Sequence, residues 1–288
     1  MIPASFEYKR AGSVADAIAL LKADPAAKIL AGGHSLIPAM KLRLSQPSTL
    51  IDIAKISVLN FIRDRGKFIA IGAATTHGNI ATHKTTMGKT PLMAIAANEI
   101  GDVQVRNRGT IGGSIAHADP ASDWPAVLIA ADATIKTEGA YGEKKIPAGE
   151  FFTGFFSTAL EEGEIVTEIH VPEPDAATSR YNYAKFMQPA SRFAIVGCAV
   201  QMSVDDHNVI TDVRMAFNGV ADHAYRAHGV EKALLGNVLT EERIMAAAEH
   251  ATEGAEYVMA DHYASETYRT HLAKVYCRRA LQGCMTGC

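Results

Sequence analysis

Two short stretches combine paired glycines with hydrogen-bonding side chains: Ala31-Gly32-Gly33-His34-Ser35-Leu36 and Thr110-Ile111-Gly112-Gly113-Ser114. Glycine has no Cβ, so consecutive backbone N–H groups can converge on one oxygen and an anion can approach the main chain closely. Read as turns, both stretches suit phosphate without a lysine, since Arg106 and Arg108 only precede the second. A helix end or a hairpin uses a glycine pair equally well. Neither stretch matches G-x-G-x-x-G or G-x-x-x-x-G-K-[ST], so a nicotinamide site of Rossmann type or an ATPase P-loop is not indicated.

Other candidate chemistry is thinner. Eleven histidines invite a metal site. His77 with His83, or His117 with Asp119 and Asp123, fit neither a helical i, i+4 pair nor a zinc spacing, and no metal site is expected. Cys277, Cys284 and Cys288 lack the four-cysteine spacing of an iron–sulfur cluster and read as structural. No Ser-His-Asp order or nucleophile elbow occurs, so the chain is expected to lack a substrate-oxidising centre of its own. Asp123 reads as a carboxylate at a helix N-terminus and Trp124 as packing.

The elements that hold these stretches are legible around them. Ser13 and Asp16 resemble a capping box before Val14, Ala17, Ile18 and Leu21, and the helix stops at Pro25. Lys28–Leu30, Leu50–Ile53 and Phe68–Ile71 read as buried strands, and Pro91–Ile100 and Ala121–Ala131 as helices. Thr134–Thr137, Gly142–Ile146 and Ile165–Val171 read as strands of a sheet of mixed direction. The segment Pro172–Ser179 concentrates proline, charge and small polar residues, which places a domain boundary near residue 177. Beyond it, Tyr181–Met187, Ala194–Val204 and Val209–Asn218 read as strands, the last two forming a hairpin across Asp205–Asn208. Ala227–Leu235, Glu241–Gly254 and Ser265–Gln282 read as helices.

Up to residue 177 the chain carries 17 basic and 19 acidic residues, and beyond it 11 and 12. Neither part has the basic excess that phosphate-backbone binding requires, so nucleic acid is not an expected partner. Four late cysteines without a dense, even spacing fit a reducing cytoplasm. No signal peptide and no transmembrane segment is expected.

The opening MIPASFEY, AGGHSLIP at 31–38 and VRNRGTIGGSIAHADPASD at 105–123 stand in the order of a known family. Over essentially its whole length the chain resembles the FAD-binding medium subunit of the molybdenum hydroxylases, of the carbon monoxide dehydrogenase and xanthine dehydrogenase group. The resemblance implies an α+β fold. Residues 1–177 would form a two-subdomain FAD-binding domain of the vanillyl-alcohol-oxidase (PCMH) type, divided near residue 55. Residues 178–288 would form a C-terminal domain with a small antiparallel sheet and helices.

Carried over by position, Ala31, Gly32, Gly33, His34, Ser35 and Leu36 would hold the FAD diphosphate together with Thr110, Ile111, Gly112, Gly113 and Ser114. Ile100 would lie near the flavin nucleotide. Asp123 would contribute a carboxylate contact to FAD and Lys185 a contact from the second domain. Phe193 matches a position near the isoalloxazine ring that is tyrosine in some carbon monoxide dehydrogenases. Ser114 stands where many relatives have asparagine, and either side chain can hydrogen-bond there. His34 and His117 fall inside the two motifs, where they tune loop geometry or lie near the flavin.

The implied function is electron transfer inside a complex. A large subunit with molybdenum cofactor would oxidise carbon monoxide, an N-heterocycle such as xanthine, or an aldehyde. A small subunit with two [2Fe-2S] clusters would relay electrons, and FAD in this chain would pass them to a quinone, NAD or oxygen. The assembly implied is a dimer of heterotrimers. Two alternatives stand beside it: a stand-alone FAD oxidoreductase of the same fold, and a non-enzymatic scaffold subunit that kept the fold and lost the nucleotide.

Overall fold

The computed structural model describes residues 1–285. Ser13 opens the first helix as its spacing predicts: its Oγ accepts the Asp16 amide at 3.1 Å. That helix, Val14–Ala23, buries Ala17 and Ile18 against a three-stranded sheet in which Thr49–Asp52 lies between Glu7–Arg10 and Lys28–Leu30. Both pairings are parallel, so the chain needs helical crossovers, supplied by Val14–Ala23 and Leu36–Lys41. The first glycine stretch therefore runs from the C-terminal end of a parallel strand into a helix, where open parallel sheets place their ligands.

The second sheet has the order Ile62–Asp64, Phe68–Gly72, Ile165–Pro172, Thr134–Gly139, Gly142–Pro147. Every neighbouring pair is antiparallel, which corrects the expectation of mixed direction. Two tight hairpins fix the outer pairs, and Ile165–Pro172 enters between them running opposite to both neighbours. Six helices between Gly72 and Thr134 pack on this sheet, and Trp124, Ile111 and Met93 join Ile71 and Ile169 in one core. The helix expected over 121–131 begins only at Trp124. Asp119 closes a turn ahead of it, its Oδ1 accepting the Ala121 amide and its carbonyl the Ser122 amide, both at 2.9 Å.

The third sheet, Ser179–Met187, Ala194–Val204, Ile210–Asn218 and Tyr225–Arg226, is antiparallel, with the expected hairpin across 205–208. Ala194–Val204 is apolar almost without a break because both of its faces are covered. Cys198, Val200, Met215 and Phe217 belong to a core shared with the helices His228–Leu234, Glu241–Ala248 and Glu266–Met285, while Tyr183, Ala199 and Ala216 join the core around Trp124.

Cys198, Cys277 and Cys284 are buried in the first of these cores, and burial pushes Cys277 up to about 12. Cys288 lies outside the described residues. The helix expected over 241–254 ends at Ala248. Beyond it the Tyr225 hydroxyl takes the Ala251 carbonyl at 2.8 Å, and Gly254 runs so close to Arg226 that a Cβ there would lie 2.6 Å from its carbonyl oxygen. Among the described residues no helix is long and apolar enough to cross a membrane.

Candidate functional site

Gly33 sits at φ +73°, a conformation that favours glycine and lets the loop turn without strain. Through this loop the amides of Gly32, Gly33, His34, Ser35 and Leu36 find no acceptor among the described residues. Hydrogen bonding inside the helix starts beyond them, with the Ile37 amide on the Gly33 carbonyl at 3.1 Å. A run of consecutive unpaired N–H groups on half-exposed backbone is a concave donor surface for an anion. His34 shapes the loop, with Nδ1 placed 3.0 Å from the Gly32 carbonyl.

The second stretch differs from its sequence reading. It is the first turn of a helix, Ile111–His117, with Thr110 as the cap whose Oγ1 accepts the Gly113 amide at 3.2 Å. The Ile111 and Gly112 amides donate to Thr75 and Ala73 carbonyls at 3.1 and 2.8 Å, and the Ser114 amide to Thr110 at 3.0 Å. All four donors are taken, so this stretch does not offer the converging amides first expected of it. What it offers is bare backbone. A Cβ on Gly112 would lie 2.5 Å from the Ala73 Cβ, so Gly112 is needed for packing. Gly113 is exposed, and a Cβ there would meet only Thr110 Oγ1 at 2.9 Å and Ala31 Cβ at 3.8 Å.

The two stretches meet. A Cβ on Gly32 would lie 2.2 Å from the Arg108 carbonyl oxygen and 2.8 Å from the Gly109 Cα. Below this junction lies His77, whose amide donates to the Gly109 carbonyl at 3.0 Å and whose Nδ1 accepts the Trp124 indole N–H at 3.1 Å. That bond leaves the ring proton on Nε2. Burial, with smaller contributions from His34 and Arg106, lowers His77 to about 3, so the ring is neutral at physiological pH.

A histidine that ionises near 3 when folded and near 6.5 when unfolded costs nothing above pH 6.5 and loses stability as the pH falls through that window. The loss should approach 1.4 kcal/mol per pH unit, roughly 2 kcal/mol between pH 6.5 and 5. Urea unfolding at those two pH values should show this drop in the native chain, and a smaller one in His77→Gln.

Ile100 ends the helix Pro91–Glu99, and its carbonyl accepts from Arg106 Nη1 at 3.1 Å. Asp123 and Lys185 form a buried ion pair: Nζ lies 2.9 Å from Oδ1 and 3.1 Å from Oδ2, and the side chains are 5% and 1% exposed. Lys185 also donates to the Glu99 carbonyl at 2.7 Å, and the Tyr183 hydroxyl donates to Asp123 Oδ1 at 2.5 Å. Burial pushes the Asp123 carboxyl above its ordinary range, and Lys185 and Tyr183 pull it back down. The Ser114 hydroxyl lies 2.8 Å from that of Ser122, which ties the second glycine stretch to this pair. Phe193 is an exposed ring in the loop between two strands. Next to it Arg192, at φ +62°, reaches Glu99 at 3.6 Å.

The structure thus brings Ala31–Leu36 onto Thr110–Ser114, and Asp123 onto Lys185 beside Glu99 and Ile100. Sequence reading missed His77 as a buttress, having met it only as a metal candidate, and missed Tyr183 and Asn218, whose Oδ1 lies 3.3 Å from the Tyr183 hydroxyl. Tyr183 carries one available signal: it lies two residues before Lys185 on a strand, and so on the same face.

Comparison with known proteins agrees with this architecture. Residues 4–174 match the FAD binding domain in molybdopterin dehydrogenase, and residues 181–284 match the CO dehydrogenase flavoprotein C-terminal domain. The chain is 42% identical to the carbon monoxide dehydrogenase medium chain of Hydrogenophaga pseudoflava, over 100% of both. It is 37% identical to the glyceraldehyde dehydrogenase medium chain of Sulfolobus acidocaldarius, over 98% of this chain and 99% of that one. It superposes on a chain of the solved carbon monoxide dehydrogenase from Hydrogenophaga pseudoflava that lacks the Mo-pyranopterin moiety, with a TM-score of 0.96 at 42% identity over 100% of both chains. On quinoline 2-oxidoreductase from Pseudomonas putida 86 the TM-score is 0.93 at 30% identity, over 99% of each chain. The chain belongs to the family of FAD-binding medium subunits of the molybdenum hydroxylases, which are multi-subunit oxidoreductases.

Proposed function

We propose that this chain holds FAD across the junction of its two glycine stretches and passes electrons from the [2Fe-2S] clusters of a small partner subunit to an external quinone, NAD or oxygen. The substrate is oxidised at the molybdenum cofactor of a large partner subunit, in a dimer of heterotrimers located in the cytoplasm. Residues 1–177 act as the FAD-binding domain and 178–288 as the C-terminal domain. When bound, FAD exchanges electrons singly or in pairs and so joins one-electron clusters to a two-electron acceptor.

The observation that carries this reading is the run of unpaired amides from Gly32 to Leu36, set against bare backbone at Gly113. The amides bind diphosphate oxygens, and the glycine face lets the phosphates approach the main chain. His77 and Trp124 hold the junction from below. In this reading Ile100 and Phe193 flank the flavin, and Asp123 and Lys185 present it with a fixed pair of opposite charges.

Gly113→Val tests the arrangement with little cost to the fold, because Gly113 is exposed and only the Thr110 hydroxyl must give way. In the assembled complex the native chain should carry stoichiometric flavin. The variant should assemble and melt close to it while retaining flavin at least about tenfold more weakly, an effect of ~1.4 kcal/mol. Full flavin content in the variant, measured by absorbance after gel filtration, would contradict the assignment.

A further inference from the structure

The Asp123–Lys185 pair is held by more than its own charges. Lys185, Gly197 and Asn218 stand in register on three neighbouring strands of the C-terminal sheet. The middle position is bare: a Cβ on Gly197 would lie 2.3 Å from Asn218 Oδ1 and 2.5 Å from the Tyr183 hydroxyl. Across this gap the Tyr183 hydroxyl stands 3.3 Å from Asn218 Oδ1 as well as 2.5 Å from Asp123 Oδ1.

A phenol has one proton. It goes to the nearer, charged carboxylate oxygen, so the contact with Asn218 calls for an N–H donor. As placed, Asn218 Nδ2 is buried and has no partner among the described residues. A half-turn of the side-chain amide, which exchanges its O and N, hands that donor to the phenol oxygen. The result is an ordered chain from Asn218 Nδ2–H to Tyr183 O–H to Asp123, closed on the far side by Lys185. Asp123 and Tyr183 are both buried, where such bonds are stronger than in water.

Resting on the flavin-binding reading above, we infer that Tyr183 and Asn218 are positioning residues for the flavin. Through this chain they keep Asp123 an anion in one orientation, and so set the potential at which the flavin of this subunit takes up electrons. Three of the four groups come from the C-terminal sheet, so the sheet acts on the flavin site without supplying its phosphate donors. Besides Lys185, the charged groups around Asp123 are Glu99 and, paired with it, Arg192. Without the phenol, burial favours neutral Asp123 and leaves the Lys185 charge less compensated. A less compensated cation stabilises the electron-rich reduced flavin and raises its midpoint potential.

The test is spectroelectrochemical titration of the flavin in the assembled complex carrying Tyr183→Phe, Asn218→Ala or Asp123→Asn, with flavin content measured on the same samples. Tyr183→Phe and Asn218→Ala are expected to retain flavin and to shift its midpoint potential upward, Tyr183→Phe by more, with Asp123→Asn exceeding both. If Tyr183→Phe does not assemble, Asn218→Ala carries the same comparison. Flavin bound at the native potential in either of these two variants overturns the inference. So does loss of flavin from a correctly assembled Tyr183→Phe complex, which would make Tyr183 a binding residue. A native complex without flavin would instead remove the underlying reading.

Discussion

Gly32→Val is expected to weaken FAD retention by roughly a hundredfold, the equivalent of about 3 kcal/mol of overpacking. The added Cβ would stand 2.2 Å from the Arg108 carbonyl oxygen and 2.8 Å from the Gly109 Cα. Both are backbone atoms, and Gly109 is itself backed by His77, so nothing nearby can turn aside. The loop has to lift away from the second glycine stretch, carrying the unpaired amides with it. Gly33→Val should act differently. Its Cβ would meet flexible side-chain carbons of Ile37 and Leu30 at 3.1 and 3.3 Å, and its main cost is the left-handed backbone, about 1–2 kcal/mol. Equilibrium dialysis of flavin against both complexes should rank Gly32→Val as the weaker binder. Equal retention in the two would mean that close contact between the stretches does not matter for binding.

Lys185→Met is expected to cost about 3–5 kcal/mol, because it strands a buried carboxylate rather than removing a neutral contact. Among the described residues Asp123 would keep the Tyr183 hydroxyl as its one donor, in a site that already disfavours its charge. For a chain of this size the melting temperature should fall by roughly 10 °C. The double variant Asp123→Leu with Lys185→Met should be less destabilised than Lys185→Met alone, since it leaves neither charge orphaned. Differential scanning calorimetry of four complexes, the native one, Lys185→Met, Asp123→Leu and the double variant, decides this. A double variant that loses as much as the sum of the two singles would show that the pair is not coupled.

The parts of this account that rest on local patterns were readable in advance. Ser13 caps its helix, Lys28–Leu30 is a strand, and the hairpin across 205–208 forms where polar turn residues interrupt two apolar runs. Helices of six residues, such as His77–Thr82 and Val103–Arg108, were not readable, because so short a segment does not complete two turns of an apolar stripe. The second glycine stretch starts a helix rather than forming the turn that its glycine pair suggests, for a physical reason. Glycine is a poor helix former, so a pair of them reads as a turn, but the packing of Gly112 on Ala73 and the Thr110 cap outweigh that preference.

At the site, the identity of the glycines was legible and the state of their amides was not. Which donors remain free depends on where Thr75 and Ala73 place their carbonyls. The bond between Asp123 and Lys185 joins residues 62 positions apart, and it forms only because the C-terminal sheet packs over the start of the helix Trp124–Ala130. Tyr183 and Asn218 depend on that packing too; the strand alternation puts Tyr183 on the face of Lys185, and no local pattern marks Asn218.

The most direct measurement is a crystal structure of the assembled complex with FAD bound. The diphosphate oxygens should accept hydrogen bonds from amides between Gly32 and Leu36 and lie against the bare backbone at Gly113. A diphosphate bound elsewhere on the chain, with those amides facing only water, would contradict the account.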